Sequence, residues 1–407
     1  TPLYSSAASD VYKRQVLESE LKLSMKRILF FHEVFPCGGA ERVTIDIANY
    51  LSGYGYESFV ALCHKTYDVA GIEVIELPDK DINSLENANA FIEIINSLFI
   101  DVFVLPIHLL KHLDYIMDGV HCKLVFAPHS IPLWEAVAKV ADKGKRAEGS
   151  WLKMLKWRFI TCPREKWFPK YDKPFIEQHK NLYGRADAYV VLCEDYKYKL
   201  IKKLGVPFEN NKFHVIPNSE RQILSVNHHK KKQILFVGRF TYVDKRVDRL
   251  IDVWKRIYKQ VPDWELLLIG DGVERQNLQQ KATAYNLQRI RFLGYQEDVS
   301  GFYREASVVC LTSTFEGWGL CLTEAQANGV VPVAYDCGAG VREIISPSGV
   351  NGFLVSPFNQ SKYARTLLKL LKNPDMLKQM RQNVVVKAQE YSPQIVGKKW
   401  KELFESL

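Results

Sequence analysis

No apolar run in these 407 residues reaches the roughly 18 that a membrane-spanning helix needs. The longest candidates, such as Ile28–Phe31 and Leu266–Ile269, have the length of buried strands, so the expectation is a soluble chain. Cysteine is present but unorganised. The eight positions 37, 63, 122, 162, 193, 310, 321 and 337 contain no Cys-x-x-Cys pair, which argues against a zinc site or a disulfide framework. Most lie in apolar stretches, where a thiol behaves as a small hydrophobe in a reducing compartment. A G-x-G-x-x-G dinucleotide fingerprint is also missing from the first strand–helix turn. Thr1–Ser24 lacks the apolar core of a signal peptide and precedes Met25-Lys-Arg and a strand. Residues 1–24 therefore read as a non-native or read-through extension, with a native start at Met25 and a cytoplasmic location.

What is present is ordinary globular composition, 47% hydrophobic and 25% charged, in a chain long enough for two domains. Arg27–Phe31 is a short apolar run that opens into a Gly-containing turn and a helical pattern over Ala40–Gly53. Strand, turn, helix is the opening unit of a doubly wound α/β domain. Further strand-like runs fall at Ser58–Cys63, Val74–Leu77, Val102–Pro106, Leu124–Ala127 and Ala188–Leu192, with a helix over Asn87–Phe99.

A second series follows Pro217-Asn218. Strands are expected at Gln233–Val237, Trp264–Ile269, Ile290–Leu293, Val308–Thr312 and Val331–Tyr335. Helices are expected at Val247–Gln260, Arg275–Tyr285 and Val299–Ala306, with another beginning near Leu320. The fold class is α/β with two Rossmann-like parallel-sheet domains, 25–218 and 219–392, facing across a cleft. A last helix over 393–407 could pack back on the first domain.

One segment breaks the alternation. Lys139–Arg185 holds 13 Lys/Arg against 5 Asp/Glu, so nearly all of the chain's net charge of +9 is local. Trp134, Trp151, Trp157, Phe159, Trp167, Phe168, Tyr171 and Phe175 lie in or beside it. An insertion over about 132–185 with this character could meet an anionic membrane or a nucleic acid. It could also be a helical insertion with packed aromatics and solvated charges.

The residues that carry chemistry cluster in Phe315-Glu-Gly-Trp-Gly-Leu-Cys-Leu-Thr-Glu324. A strand ends, a Gly loop follows, and a helix starts whose free N–H groups and dipole favour an anion. Gly317 and Gly319 let the backbone approach a ligand. Glu316 can reach a sugar, and Glu324 can accept hydrogen bonds from a ribose diol. In Gly238-Arg239-Phe-Thr-Tyr-Val-Asp-Lys245, two cations sit after a strand, where they can neutralise a diphosphate. Gly38-Gly39-Ala-Glu41-Arg forms the first turn of the other domain. Each pattern also has a bland reading: an acidic helix start, solvated loop charges, or a common Gly-Gly turn.

Taken in order, these motifs resemble glycosyltransferase family 4. Glu316 to Glu324 matches that family's E-x7-E motif, Gly238-Arg239 and Lys245 its diphosphate-binding pair, and Gly38–Arg42 its N-terminal turn. Val215-Ile-Pro-Asn218, Gly270-Asp271-Gly272 and Gly294-Tyr-Gln-Glu-Asp298 fit as well. The resemblance runs from Met25 to about Asn359. It implies a GT-B fold and retaining transfer of a hexose-type sugar from a UDP- or GDP-sugar, with no prosthetic group. The acceptor would be a glycan or lipid-linked oligosaccharide of cell-surface polysaccharide synthesis.

In this resemblance Arg239 and Lys245 hold the diphosphate, and Glu324 holds the ribose. Glu316 and the backbone at Trp318, Gly319 and Leu320 hold the donor sugar. Gln296 lies where the family's main chain contacts the nucleobase, and His129 matches a first-domain histidine near the transferred sugar. No Asp-x-Asp stands at a strand end in the expected setting. The cations and the helix dipole would replace a metal, and the leaving diphosphate would help deprotonate the acceptor in a front-face attack. Cys193 departs from a commoner serine before Glu194-Asp-Tyr196, and the basic segment is longer than the family requires. The partners expected are a nucleotide sugar, the acceptor and, through 139–185, the inner face of an anionic membrane, with no nucleic acid. A nucleotide-sugar epimerase and a non-catalytic membrane-surface protein are the competing classes.

Overall fold

The structure is a computed structural model, and it describes residues 25–36, 38–107, 109–147, 150–161, 172–209, 211–221, 223 and 225–407. The proposed 1–24 extension and the centre of the basic segment, 162–171, lie outside the described residues.

Among the described residues, thirteen strands form two parallel sheets. The first contains β1 (Lys26–Phe35), β2 (Tyr56–Lys65), β3 (Glu73–Glu76), β4 (Val102–Leu105), β5 (Lys123–Phe126), β6 (Ala188–Val191) and β7 (Phe213–Val215), in the order 3-2-1-4-5-6-7. The second contains β8 (Gln233–Val237), β9 (Glu265–Ile269), β10 (Ile290–Gly294), β11 (Val308–Leu311), β12 (Val331–Tyr335) and β13 (Phe353–Val355), in the order 10-9-8-11-12-13. All four residues of β4, β6 and β11 and all five of β12 are buried. Strands covered on both faces need continuous apolar runs, and that is why these segments do not alternate.

Each sheet therefore reverses direction once. In the second, the chain runs outward from β8 to β9 and β10, then crosses back to lay β11 on the other side of β8. The loops after β8 and β11 leave the carboxyl ends of adjacent strands at this switch point, where ligands settle in open α/β sheets.

The chain divides into two compact units. One holds the described residues up to Ala127, with Arg185–Asp187 and Trp400–Leu407; the other holds Pro128–Gly184 and Ala188–Lys399. Within the first, Lys26 Nζ donates to the Phe404 carbonyl at 2.7 Å, and the Tyr56 and Phe404 rings lie 6.3 Å apart. In the second, the core is built on helix Val247–Ile257, whose Val247, Leu250, Ile251, Val253, Trp254 and Ile257 are buried. They pack with Phe236, Leu266, Leu268 and Tyr335. Burying Trp254 alone is worth about 3 kcal/mol relative to exposing it.

Six cysteines among the described residues are free thiols: 63, 122, 193, 310, 321 and 337. Burial pushes the thiols of Cys63, Cys122 and Cys193 up to about 11 and those of Cys310 and Cys321 to about 12. Such groups stay protonated and unreactive. Cys37 and Cys162 lie outside the described residues. No group of three or more His, Cys, Asp or Glu among the described residues could hold a metal ion.

Candidate active site

The loop after β8 carries Arg239 and Lys245, and the loop after β11 carries Ser313 to Gly319. Backbone and side chains tie the two loops together. Thr314 N donates to the Asp244 carbonyl at 2.6 Å. The Thr312 hydroxyl donates to the Arg246 carbonyl at 3.0 Å, and Arg249 Nη1 to the Thr312 carbonyl at 3.2 Å.

At the centre, Lys245 Nζ donates to Glu316 Oε1 at 2.6 Å. The same carboxylate oxygen accepts from the Ser313 hydroxyl at 2.7 Å. Both charges are largely sheltered, with side chains 19% and 10% exposed. Burial opposes the ammonium's charge, but the Glu316 carboxylate outweighs it and holds Lys245 well above its usual range. Lys245 therefore stays cationic, a fixed positive charge at the switch point. Arg239 behaves differently. Its side chain is 76% exposed and rests 3.3 Å from Asp244, so it projects to solvent beside the buried pair.

Gly319 has φ of +96° and caps helix Leu320–Ala327, a conformation that glycine adopts without strain. Leu320 opens that helix and Glu324 is its fifth residue. Burial, followed by the Glu324 charge, pushes the Tyr303 hydroxyl well above its ordinary value. Gln296, after β10, donates from Nε2 to the Leu293 carbonyl at 2.9 Å. In the first unit, Gly38 and Gly39 start helix Gly39–Ser52.

Glycine at 317 has a second reason in the structure. A Cβ there would lie 2.6 Å from Ser130 Cα and 3.0 Å from the His129 carbonyl oxygen. The missing side chain admits the protein's own backbone. Gly338 and Gly340 do the same from the other side: a Cβ on Gly338 would stand 2.5 Å from the Glu316 carbonyl oxygen, and one on Gly340 would collide with the Gly317 carbonyl. The Tyr196 hydroxyl lies 3.0 Å from both of those carbonyls. Trp318 turns its indole away from the loop, 2% exposed and edge-on to Tyr391.

His129 also belongs to this surroundings. Its Nδ1 lies 2.7 Å from Asn218 Oδ1. Burial lowers the imidazole to about 4, a shift the Asn218 hydrogen bond only partly offsets, so the ring is neutral at pH 7.

Reading the sequence picked out His129, Glu316 and Lys245 but missed Ser313, Tyr196, Gly338 and Gly340 as supports. The Gly-x-Gly between β12 and the helix Ala339–Ile345 was the available signal.

Comparison with known proteins bears on this region directly. The family model described as glycosyl transferases group 1 matches residues 218–385, which include β8 to β13. The amylovoran biosynthesis glycosyltransferase AmsD of Erwinia amylovora is 31% identical over 227 residues, 54% of this chain and 63% of that protein. An uncharacterized glycosyltransferase of Haemophilus influenzae is 28% identical over 382 residues, 93% of this chain and 99% of that protein. Among solved structures, Anabaena HepE in complex with UDP and glucose superposes with a TM-score of 0.70 at 20% identity, covering 94% of this chain and 100% of that one. The fold is GT-B. The family model and these relatives support a glycosyltransferase.

Proposed function

We propose that the chain is a retaining, metal-independent hexosyltransferase of the family 4 type, drawing on a UDP- or GDP-sugar and building cell-surface polysaccharide. The observation that carries this reading is the sheltered Lys245–Glu316 pair at the β8/β11 switch point, beside exposed Arg239 and the N-terminus of helix Leu320–Ala327. A diphosphate arriving there meets two cations and unpaired helix N–H groups, each charge-assisted bond contributing on the order of 1.5–3 kcal/mol. Negative charge that builds on the leaving diphosphate is stabilised by the same groups.

In this reading Glu324 binds the ribose, and the backbone of residues 317–320 with Glu316 holds the sugar. The nucleobase lies near Gln296, and His129 faces the transferred sugar. Gly38 and Gly39 are assigned to donor binding in this reading on their match to the family's N-terminal turn. UDP in the HepE complex and the amylovoran role of AmsD support a nucleotide sugar and a polysaccharide product. The acceptor in this proposal is a glycan or lipid-linked oligosaccharide.

The same proposal places the protein at the inner face of a membrane. Trp151, Leu152, Leu155, Phe159 and Ile160 are all exposed, Trp151 to 71% and Phe159 to 67%. They lie along the helical run 151–161, with Lys153 and Lys156 exposed beside them. A basic, apolar-faced helix of this kind lies in an anionic interface. Other cations of the segment already have partners: Lys145 with Glu274, Arg146 with Asp142, Lys180 with Glu177, and Lys139 over Phe175.

A panel of nucleotide sugars, read by calorimetry with EDTA present, tests the donor site. The expectation is binding of one UDP- or GDP-sugar that survives EDTA and is lost in Lys245→Ala. Absence of binding by every nucleotide sugar would overturn the transferase reading.

A further inference from the structure

Asn218 lies 89 positions from His129 and within the same compact unit. It is 3% exposed, so its amide cannot rotate freely in water, and its Oδ1 stands 2.7 Å from His129 Nδ1. An amide oxygen only accepts hydrogen bonds. The proton between them therefore sits on Nδ1, and Nε2 is left with a bare lone pair. Nε2 has no hydrogen-bond partner among the described residues. The backbone of His129 and Ser130 abuts Gly317, which fixes the ring's anchor relative to the loop proposed to hold the sugar.

We infer that Asn218 is a positioning residue that holds His129 as the Nδ1–H tautomer, so that Nε2 accepts a hydrogen bond from a hydroxyl of the donor sugar. This rests on the donor-site reading given above. A hydroxyl both donates and accepts, so the ring decides the direction: a bare Nε2 accepts from the hydroxyl's O–H, whereas an imidazolium or the opposite tautomer would donate N–H to it. The low basicity of the ring fits the same role. Burial causes it, the Asn218 hydrogen bond offsets part of it, and no charged group contributes, so the lone pair stays available through the physiological range.

The test uses the full chain with ring-15N histidine. Long-range 15N–1H spectra at pH 7.5 distinguish a protonated from an unprotonated ring nitrogen, with His129→Phe assigning the signals. The expected result is a neutral ring with Nδ1 protonated. In Asn218→Ala the tautomer should become mixed. In Asn218→Asp the ring should titrate at about 6 or above, because a carboxylate now faces Nδ1. On the donor that the panel identifies, Asn218→Asp should then lose turnover at least about twofold between pH 7.5 and 6, where the wild-type enzyme does not. A purely structural asparagine would not create that acid limb.

An Nε2-protonated or cationic ring in the wild type overturns the inference, and so does an Asn218→Ala spectrum identical to wild type. Neither result touches donor binding. Conversely, a chain that binds no nucleotide sugar yet shows the Nδ1–H ring refutes the transferase reading and leaves the tautomer assignment standing.

Discussion

Glu316 serves two partners with one oxygen, and a glutamine separates them. Glu316→Gln can still accept from Ser313 but leaves Lys245 without a counter-charge in a sheltered place. Removing one member of such a pair is destabilising; with part of the ammonium still reaching water, we expect about 2 kcal/mol, measured by urea denaturation. Unchanged stability would mean that solvent alone satisfies Lys245. His129 gives a second residue-scale test through pH. Its folded value of about 4 lies below the unfolded value near 6.5, so between the two the unfolded chain binds the extra proton. The group costs the protein nothing above about 6.5 and destabilises it progressively as pH falls toward 4. Comparing stability at pH 7.5 and 5, His129→Phe should lose less than wild type; an equal loss in both would mean that the ring titrates normally.

At the scale of elements, the 316–319 loop is held by close backbone contacts that only glycine permits. Gly340, in the helix Ala339–Ile345, sits under the Gly317 carbonyl. A methyl group there cannot be accommodated without shifting the 316–319 loop or the helix. Gly340→Ala should cost about 1–3 kcal/mol by overpacking and weaken nucleotide-sugar affinity. Gly184→Ala serves as the control, because a Cβ there meets nothing within 4 Å. Calorimetry on both variants decides it: equal donor affinity in the two would show that the loop does not depend on Gly340.

The elements themselves were legible to very different degrees. Gln233–Val237 and Val331–Tyr335 were read with their observed bounds, because short apolar runs flanked by polar residues leave little choice. β13 and the helices Ala339–Ile345, Gln360–Leu371 and Pro374–Ala388 were not read. β13 has three residues, too few to show a period, and it exists through its pairing with β12. Helix Ala339–Ile345 has only seven residues, about two turns, too few to establish a helical repeat.

For the whole molecule, the proposal of membrane contact rests on the distribution of charge. The basic surplus of Lys139–Arg185 coincides with the exposed Trp151, Leu152, Leu155, Phe159 and Ile160. Trp151→Ala with Phe159→Ala should reduce co-sedimentation with phosphatidylglycerol vesicles at least about tenfold, since each ring would bury on the order of 1.5–3 kcal/mol of apolar surface. Binding of the wild type should also fall as salt rises. Equal binding to neutral phosphatidylcholine vesicles would remove the electrostatic part of the proposal. No helix among the described residues is long and apolar enough to cross a membrane.

From residue types and their order alone came the parallel α/β class, the second domain's strands, and Lys245 and Glu316 as candidates, while His129 came from the resemblance to a known family. Those features are written in neighbours one to four positions apart, where hydrophobic period and turn chemistry act. Only the tertiary structure decided that Lys245 meets Glu316 across 71 positions, that Ser313 shares the same oxygen, that Gly317 is small for the protein's own backbone, and that Asn218 addresses His129. The crossover that places β11 beside β8 creates the first two of these contacts. A crossover is selected by how whole strands bury their faces against each other, and no local window of sequence records that choice.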